Sequence, residues 1–392
     1  MLRRTFLKVT GAAGVAAGGA IASWAHHQGV FSAGQGPAFE PWQHWRADEA
    51  PRALVRAAIL AANPHNTQPW LFKIADTRID VYADRARNLG SFDPFLREMH
   101  IGLGCAVENM VLAANALGHA AKVTVVEGPL EPMAQALPPS LVASIELSPG
   151  TPRQDELYAA IPLRHTNRAA YDPRRRVPGE LLQSLQLVAE ESSTLKLFLF
   201  SGDSERTRLG DMMIAATARI IADKTMVGDS HRWFRSRWAD VEKYRDGPTI
   251  DAAGLSPLMA ALAKIAPEPS PARSHQYWLA ATRDVQVPSA PVLGLIAVAS
   301  LYDRAQAVQA GRAWQRMHLF ATAHGLAMQP INQPLELVDR ERQLAREPWA
   351  ARTLERVVGD HHWQPTFSFR LGVPTRDAVP SPRRPVGDVV MN

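Results

Sequence analysis

The sequence predicts an α+β fold built twice over, and two observations carry that expectation. Two long, alanine-rich amphipathic helices, about Leu96 to Leu117 and about Arg304 to His324, each stop at a glycine, Gly118 and Gly325. Laid on one another, they pair Gly104 with Gly311, Met110 with Met317, Leu112 with Leu319, Ala114 with Ala321 and Ala116 with Ala323, always 207 positions apart. The second observation is order: a shorter helix and then strand precede each long helix. Any two alanine-rich helices align to some degree, so the shared order carries as much weight as the residues. Two α+β halves that cannot each close a core are expected to pack on one another.

The 392 residues suffice for two domain-sized units. The charge of +5 and pI near 9.5 come from Lys and Arg spread along the chain. With no aromatic-interleaved basic stripe, a nucleic-acid partner is not expected. The single cysteine, Cys105, excludes an intramolecular disulfide framework and a cysteine-rich metal site.

At the N-terminus, Leu2-Arg3-Arg4-Thr5-Phe6-Leu7-Lys8 precedes an apolar stretch of small residues, Val9 to Ala22, and an A-x-A-like end at Ser23-Trp24-Ala25. This is the pattern of a twin-arginine export signal over residues 1–25, with a mature chain from about His26 on the periplasmic or cell-envelope side. An uncleaved anchor is the alternative, although the stretch is short for a span. Such export carries folded proteins, often around a cofactor acquired beforehand. Gly11, Gly14 and Gly18 imitate a dinucleotide loop, but no strand precedes them.

A leader over 26–50 is followed by a first half over 51–150. In it, Ala53 to Ala62 has helical spacing, Asn63 to Pro69 is a turn-rich loop, and Leu71 to Ile74 and Ile79 to Tyr82 read as strands. A second half over 151–392 has a helix from Gly179 to Ala189 and a strand from Leu195 to Phe200. It also carries an insertion of about 204–289, in which Trp233, Phe234 and Trp238 stand among arginines on a helical pattern that ends in the turn Asp246-Gly247. The insertion reads equally as a lid over a flat aromatic ligand and as an ordinary amphipathic helix.

Four strings could carry chemistry. Asn63-Pro64-His65-Asn66-Thr67-Gln68-Pro69-Trp70 is a polar loop between helix and strand. Its amides could serve hydroxyls and a pyrimidine edge, or could merely stabilise a turn. Arg164-His165-Thr166-Asn167-Arg168 offers two guanidiniums and a hydroxyl to a dianion, though arginines at that spacing are often a solvated face. Gln329-Pro330-Ile331-Asn332 follows the second long helix in what reads as a loop, and Pro382-Arg383-Arg384-Pro385 forms a basic tail after Phe369-Arg370-Leu371-Gly372. His26-His27 and His361-His362 lack a third ligand at helical spacing and read as surface residues. No G-x-S-x-G elbow, Walker A loop or Rossmann fingerprint is present.

Together these strings resemble the nitroreductase family. Its Asn-x-Gln-Pro-Trp loop is matched at Asn66, Gln68, Pro69 and Trp70, while the family's serines are replaced around Asn63 to His65. On the resemblance Arg164, Thr166 and Arg168, with Arg383 and Arg384 from the tail, would clamp an FMN phosphate. Asn63, Pro64, His65, Asn66, Gln68 and His165 would line the cofactor, and the backbone at Gln329, Pro330 and Asn332 would approach flavin N5. The first half keeps the Asn/Gln loop and the second keeps the basic clamp, so one complete site remains. That distribution resembles the fused, Acg-like branch, in which one chain mimics the family homodimer and acts as a monomer.

The implied activity is FMN-dependent hydride transfer through N5 to a small nitroaromatic or quinone-like acceptor, with NAD(P)H as candidate donor and no catalytic side chain. A flavin-sequestering protein with a lidded site is the alternative. The expected partners are a small-molecule substrate and the twin-arginine export machinery, with no metal.

Overall fold

The computed structural model describes residues 22–130, 132–133, 138–190 and 193–391. The arginine pair Arg3-Arg4 and most of the apolar stretch behind it lie outside them.

After α1 (Glu40–Gln43) and α2 (Arg52–Ala58), the first half runs β1 (Trp70–Ala75), β2 (Arg78–Ala83), α3 (Arg97–Ala116), β3 (His119–Val125) and β4 (Ser140–Pro149). The strands form an antiparallel sheet in the order β1-β2-β4-β3. Alternation explains β1, whose Trp70 and Phe72 are buried while Leu71 between them is half-buried and Lys73 after them is exposed.

The second half opens with α4 (Glu156–Ala160), α5 (Gly179–Ala189) and β5 (Leu195–Phe200). There follow α6 (Asp203–Ala222), α7 (Lys224–His231), α8 (Trp238–Tyr244), α9 (Pro257–Ile265) and α10 (Pro271–Ala280). It closes with β6 (Val292–Val298), α11 (Arg304–Ala323), β7 (Ala327–Pro330), α12 (Gln333–Gln343), α13 (Trp349–Val358) and β8 (Gln364–Gly372). Its sheet order, β5-β6-β8-β7, repeats that of the first sheet strand for strand. Thus β1 and β2 are joined by a tight turn at Asp76-Thr77, whereas their counterparts β5 and β6 are separated by the five helices α6 to α10. β6 is buried at every position, as its unbroken apolar run requires of a strand covered on both faces.

The halves meet where α3 crosses α11. A Cβ on Gly104 would stand 2.1 Å from the Val308 carbonyl oxygen, and one on Gly311 would stand 1.9 Å from that of Ile101. Val308 lies 207 positions after Ile101, and Gly311 lies 207 after Gly104. Each contact is therefore the image of the other across the crossing. The seam is polar further along: Gln315 Nε2 donates to Asn109 Oδ1 at 2.8 Å, and Arg312 and Arg316 both pair with Glu108.

Two details differ from the sequence reading. Trp233 and Phe234 do not lie on a helix but in the break between α7 and α8; alternation of aromatics and arginines imitates helical spacing without requiring it. Ala327 to Pro330 is an edge strand rather than a loop, since its short run gains order only by pairing with β8. A third feature, unforeseen in the sequence, is the chain end: Phe72 N donates to Val389 O at 2.8 Å and Met391 N to Phe72 O at 2.7 Å. The last residues of the second half thus lie along β1 of the first, carrying Arg383 and Arg384 towards the 63–69 loop.

Replacing Gly311 by Val is expected to cost at least about 3 kcal/mol, since backbone rather than a flexible side chain blocks the added atoms. Urea unfolding should show it, whereas Gly359→Ala, at a left-handed helix end with open space, should cost only about 1 kcal/mol.

Candidate anion and cofactor site

The site forms where the 63–69 loop, the 164–168 segment, α11 and the chain end meet. The loop is held in an unusual backbone path: His65, Asn66 and Gln68 have φ of 46°, 50° and 52°. Left-handed geometry at a non-glycine residue costs about 1–2 kcal/mol, so three within four residues must be fixed from outside. Asn63 Oδ1 accepts from Gln68 N at 2.8 Å and closes the loop, and Pro64 seats against Gly102 of α3, where a Cβ would come within 2.8 Å of its ring. Asn63 and Pro64 therefore frame the loop, whatever else they touch.

Two buried guanidiniums share the floor. Arg164 donates through Nη2 to Leu60 O at 2.9 Å and approaches His318 Nδ1 at 3.5 Å. Arg383 donates through Nη2 to Ala61 O at 3.3 Å and through Nη1 to the Asn66 side-chain oxygen. Both stand over the Trp42 ring, at 6.0 and 4.7 Å from its centroid. No ion pair among the described residues gives either one a carboxylate, and the Nε of each is buried without a partner. Burial pulls the Arg164 guanidinium down to about 10. Arg383 falls well below its ordinary range, through burial and then through the Arg164 charge.

The neighbouring imidazoles are also unpartnered at His165 Nδ1 and His318 Nε2, and so, in the adjoining loop and at the start of β1, are Thr67 Oγ1 and Trp70 Nε1. Burial first, then the two arginines, holds the His165 imidazole down to about 3, so at neutral pH it adds no charge of its own. Two positive charges removed from water with no counter-charge are costly, and an anion with several acceptor oxygens would satisfy them and the free N–H groups together.

Arg168 reaches the same neighbourhood from another side. It donates to Ala252 O at 3.1 Å, and its charge adds to burial in lowering His65 to about 4. Thr166 is half-buried between them. Arg384 meets the loop from outside the pair: its guanidinium donates to Asp388 O at 2.6 Å and to Gln68 O at 3.5 Å, and its backbone N–H holds Gln68 Oε1 at 2.8 Å. Gln329 accepts from Arg370 Nε at 2.7 Å, and Arg370 in turn donates to Ala169 O and Asn167 O, bracing the 164–168 segment from beneath. Pro330 ends β7 opposite Phe369. Asn332 accepts from Ser368 N at 3.0 Å and donates to Glu98, so the Gln329 and Asn332 side chains are committed internally.

The amides of the loop are engaged as well. Gln68 Nε2 donates to Arg245 O at 2.7 Å, Asn66 Nδ2 to Pro382 O at 2.9 Å and Gly247 O at 3.3 Å, and Gly247 N returns a bond to Asn66 O. His65 Nε2 meets Ser230 Oγ at 2.9 Å. The insertion thus closes backbone-first on the loop. Its clasp is Asp246, buried and paired with Arg87 and, at 2.7 Å, with Arg235. Trp233 anchors the closure by donating to Asn88 O at 3.2 Å, and Trp238 stacks on Phe39 at 6.1 Å.

Sequence reasoning missed Trp42 and His318, and although it placed the Asp246-Gly247 turn, it did not foresee the bonds that turn makes to the 63–69 loop. Trp42 stands in a segment that reads as a bare leader, and its only signal was an aromatic cluster, Trp42 and Trp45, too apolar for a linker.

A second buried polar centre gathers around Arg97, which pairs with Asp339 at 2.7 Å. Asp93, Glu98 and Glu336 face the same guanidinium, and burial, then mutual repulsion, holds all three carboxyls above their usual range. The described residues hold no group of three or more His, Cys, Asp or Glu suited to a metal ion.

No family model matches the chain. Two Mycobacterium tuberculosis proteins, one from strain CDC 1551 and one from H37Rv, are 28% identical to it over 367 residues, covering 91% of this chain and 95% of each relative. Both are provisionally named NAD(P)H nitroreductases. Among solved structures, the FMN-dependent nitroreductase of Mycobacterium smegmatis in complex with NADPH is 19% identical with a TM-score of 0.40, covering 60% of this chain and 97% of that one. A nitroreductase with bound FMN from Desulfitobacterium hafniense is 13% identical with a TM-score of 0.36, covering 61% and 99%.

The acidic centre makes a prediction with a definite sign. A carboxyl raised on folding binds a proton that the unfolded chain has released, so its contribution is present below the unfolded value near pH 4 and is lost as pH rises towards the folded value. Below about pH 7 the buried histidines His65, His100, His165 and His318, held down by burial, push stability the other way, so the fall in urea midpoint should show between pH 7 and pH 8, and Glu98→Gln, which keeps an acceptor for Asn332, should flatten that slope.

Proposed function

We propose that this chain binds one FMN and works as an oxidoreductase of the nitroreductase type. The observation that carries the reading is the pair of buried, carboxylate-free guanidiniums of Arg164 and Arg383 with unpartnered donors around them. A phosphate monoester fits that chemistry, and the names of the two M. tuberculosis relatives support the assignment. Arg164 and Arg383 would hold the phosphate, with Arg168 and Thr166 at its side. Trp42 would shield it from water. The Asn66 and Gln68 amides would serve the polar part of the cofactor after giving up their bonds to the insertion and tail. Bound flavin supplies two-electron hydride chemistry, for which the protein contributes orientation and electrostatics.

The substrate class we propose is a small nitroaromatic or quinone-like acceptor, with NAD(P)H as donor. We further propose that residues 1–25 direct twin-arginine export to the periplasmic or cell-envelope side. On this reading the 51–150 and 151–392 halves stand in for the two subunits of a dimer, as in the Acg-like branch, and the protein is a monomer.

One observation favours a second reading. The insertion is bonded to the loop through Arg245, Gly247 and Ser230, which suits a protein that sequesters flavin and turns over slowly. The visible spectrum of the purified protein, recorded before and after anaerobic NADPH, separates the two. Flavin bands that bleach support the reductase, bands that persist support sequestration or another donor, and a colourless protein refutes the cofactor assignment.

Arg164→Met should weaken FMN binding roughly 10- to 100-fold, the worth of one or two charge-assisted bonds, as read by quenching of flavin fluorescence. Asp246→Asn should loosen the clasp and speed both flavin exchange and bleaching. Unchanged exchange would show that the clasp does not govern access.

A further inference from the structure

Helices α6, α12 and α13 enclose a cleft of about 900 Å³ that shares no residue with the anion and cofactor site. That volume lies within the roughly 300–1,000 Å³ typical of small-molecule sites. Helical spacing explains which residues face it. On α13, Trp349, Arg352 and Arg356 stand at i, i+3 and i+7 and line the cleft, while Ala350 and Leu354 are buried on another side. On α12, Leu337, Arg340 and Glu341 stand at i, i+3 and i+4. The turn between these two helices adds Arg346, and the end of α6 adds Arg219.

The arginines of the cleft are unequally matched. Arg340 pairs with Asp223 at 2.9 Å and Arg352 with Glu347 at 2.7 Å. Arg219, Arg346 and Arg356 form no ion pair among the described residues. Two more carboxylates, Glu341 and Glu355, line the walls without closing on them. Glu341 is engaged elsewhere: it accepts from Ala350 N at 3.0 Å. Burial raises its carboxyl from the ordinary value, against the pull of that N–H and then of the Arg219 and Arg346 charges. Arg219 rests on the Trp349 ring, 3.9 Å from its centroid. Among the described residues no hydrogen bond engages its N–H groups or those of the Arg346 side chain. Both arginines also line the adjoining hollow, where Lys224 adds a further positive charge.

We propose that this cleft binds a small aromatic oxyanion of the nucleoside-monophosphate kind. Its phosphate is held by Arg219 and Arg346, and its ring lies along the α13 face towards Arg356. Two guanidiniums with unspent N–H groups suit a dianion, and Arg219 is pre-positioned for it by its rest on Trp349. Guanidinium planes also stack on flat rings, which gives Arg356 its role beside the apolar surface of Leu337 and Ala222. A bare inorganic anion would use the charge and leave that surface idle. An uncharged aromatic would cover the surface and leave the arginines without an anion. The proposal stands independently of the flavin reading, since it uses other residues in another part of the fold.

Calorimetric titration of the full chain with adenosine 5′-monophosphate tests it, with adenosine and ribose 5-phosphate as the probes that lack one feature each. Arg346 is exposed and its side chain holds nothing in place, so Arg346→Ala keeps the fold. The expected result is binding that Arg346→Ala weakens at least about 10-fold, the worth of a charge-assisted bond. Ribose 5-phosphate should bind roughly 5- to 10-fold more weakly for want of the ring, and adenosine more weakly still. Arg164→Met, in the other site, should leave this binding unchanged. If ribose 5-phosphate binds as well as the nucleotide, no ring is seated and the proposal falls. Binding that survives Arg346→Ala and disappears in Arg164→Met would place the probe in the flavin-phosphate site and overturn it, as would the absence of binding at millimolar nucleotide.

Discussion

The close crossing of α3 and α11 is the constraint on which the rest of the structure depends. Backbone meets backbone there because Gly104 and Gly311 carry no Cβ, and any side chain at either position would drive the helices apart. Approach that close is possible only for glycine, and it brings the polar residues further along into register: Asn109 meets Gln315 and Glu108 meets Arg312 and Arg316. Everything at the seam between the halves inherits its position from this contact.

The candidate site is one such inheritance. Gln315, one turn beyond Gly311, accepts from Ala62 N at 3.2 Å and so places the start of the 63–69 loop. His318 lies on the same helix, against Arg164. The chain end then crosses from the second sheet to β1 of the first and lays Arg383 beside the same loop. Residues distant in sequence thus surround one small volume, and three of the four segments involved come from the second half or the tail that follows it.

Electrostatics divides the interior into two opposed regions. Around Trp42 positive charge is buried without compensation, and around Arg97 carboxyls outnumber the guanidinium they face. Burying an ion without a partner is costly, so each region must recover the loss elsewhere. Protons retained on Glu98 and Glu336 do so in the acidic region. The basic one has no such route, because guanidinium holds its proton too tightly, and an anionic ligand is the natural remedy. The insertion adds a second layer of control, since its 245–247 turn occupies the amides of Asn66 and Gln68 and the buried Asp246 holds that turn in place.

The sequence by itself determined the features that depend on local pattern. The two long helices and their glycine ends, the β1–β2 hairpin, β5 and α5 all followed from periodicity and breaker residues, and the α+β class followed from their order. The pairing of Gly104 with Gly311 was visible as an alignment, though not as a contact. What only the tertiary structure decided was every arrangement that depends on long-range contact. The strand at 327–330 exists because β8 is beside it, and Trp233 leaves its helix because Asn88 and three arginines receive it. Trp42 joins the site because the tail returns to cover it, through Ser381 O on its indole N–H at 2.8 Å. Arg383 and Arg384 are adjacent and chemically identical, yet one is buried in the cluster and the other is turned to Asp388. No local rule separates them, because the choice is made by which face of the returning chain meets the first half.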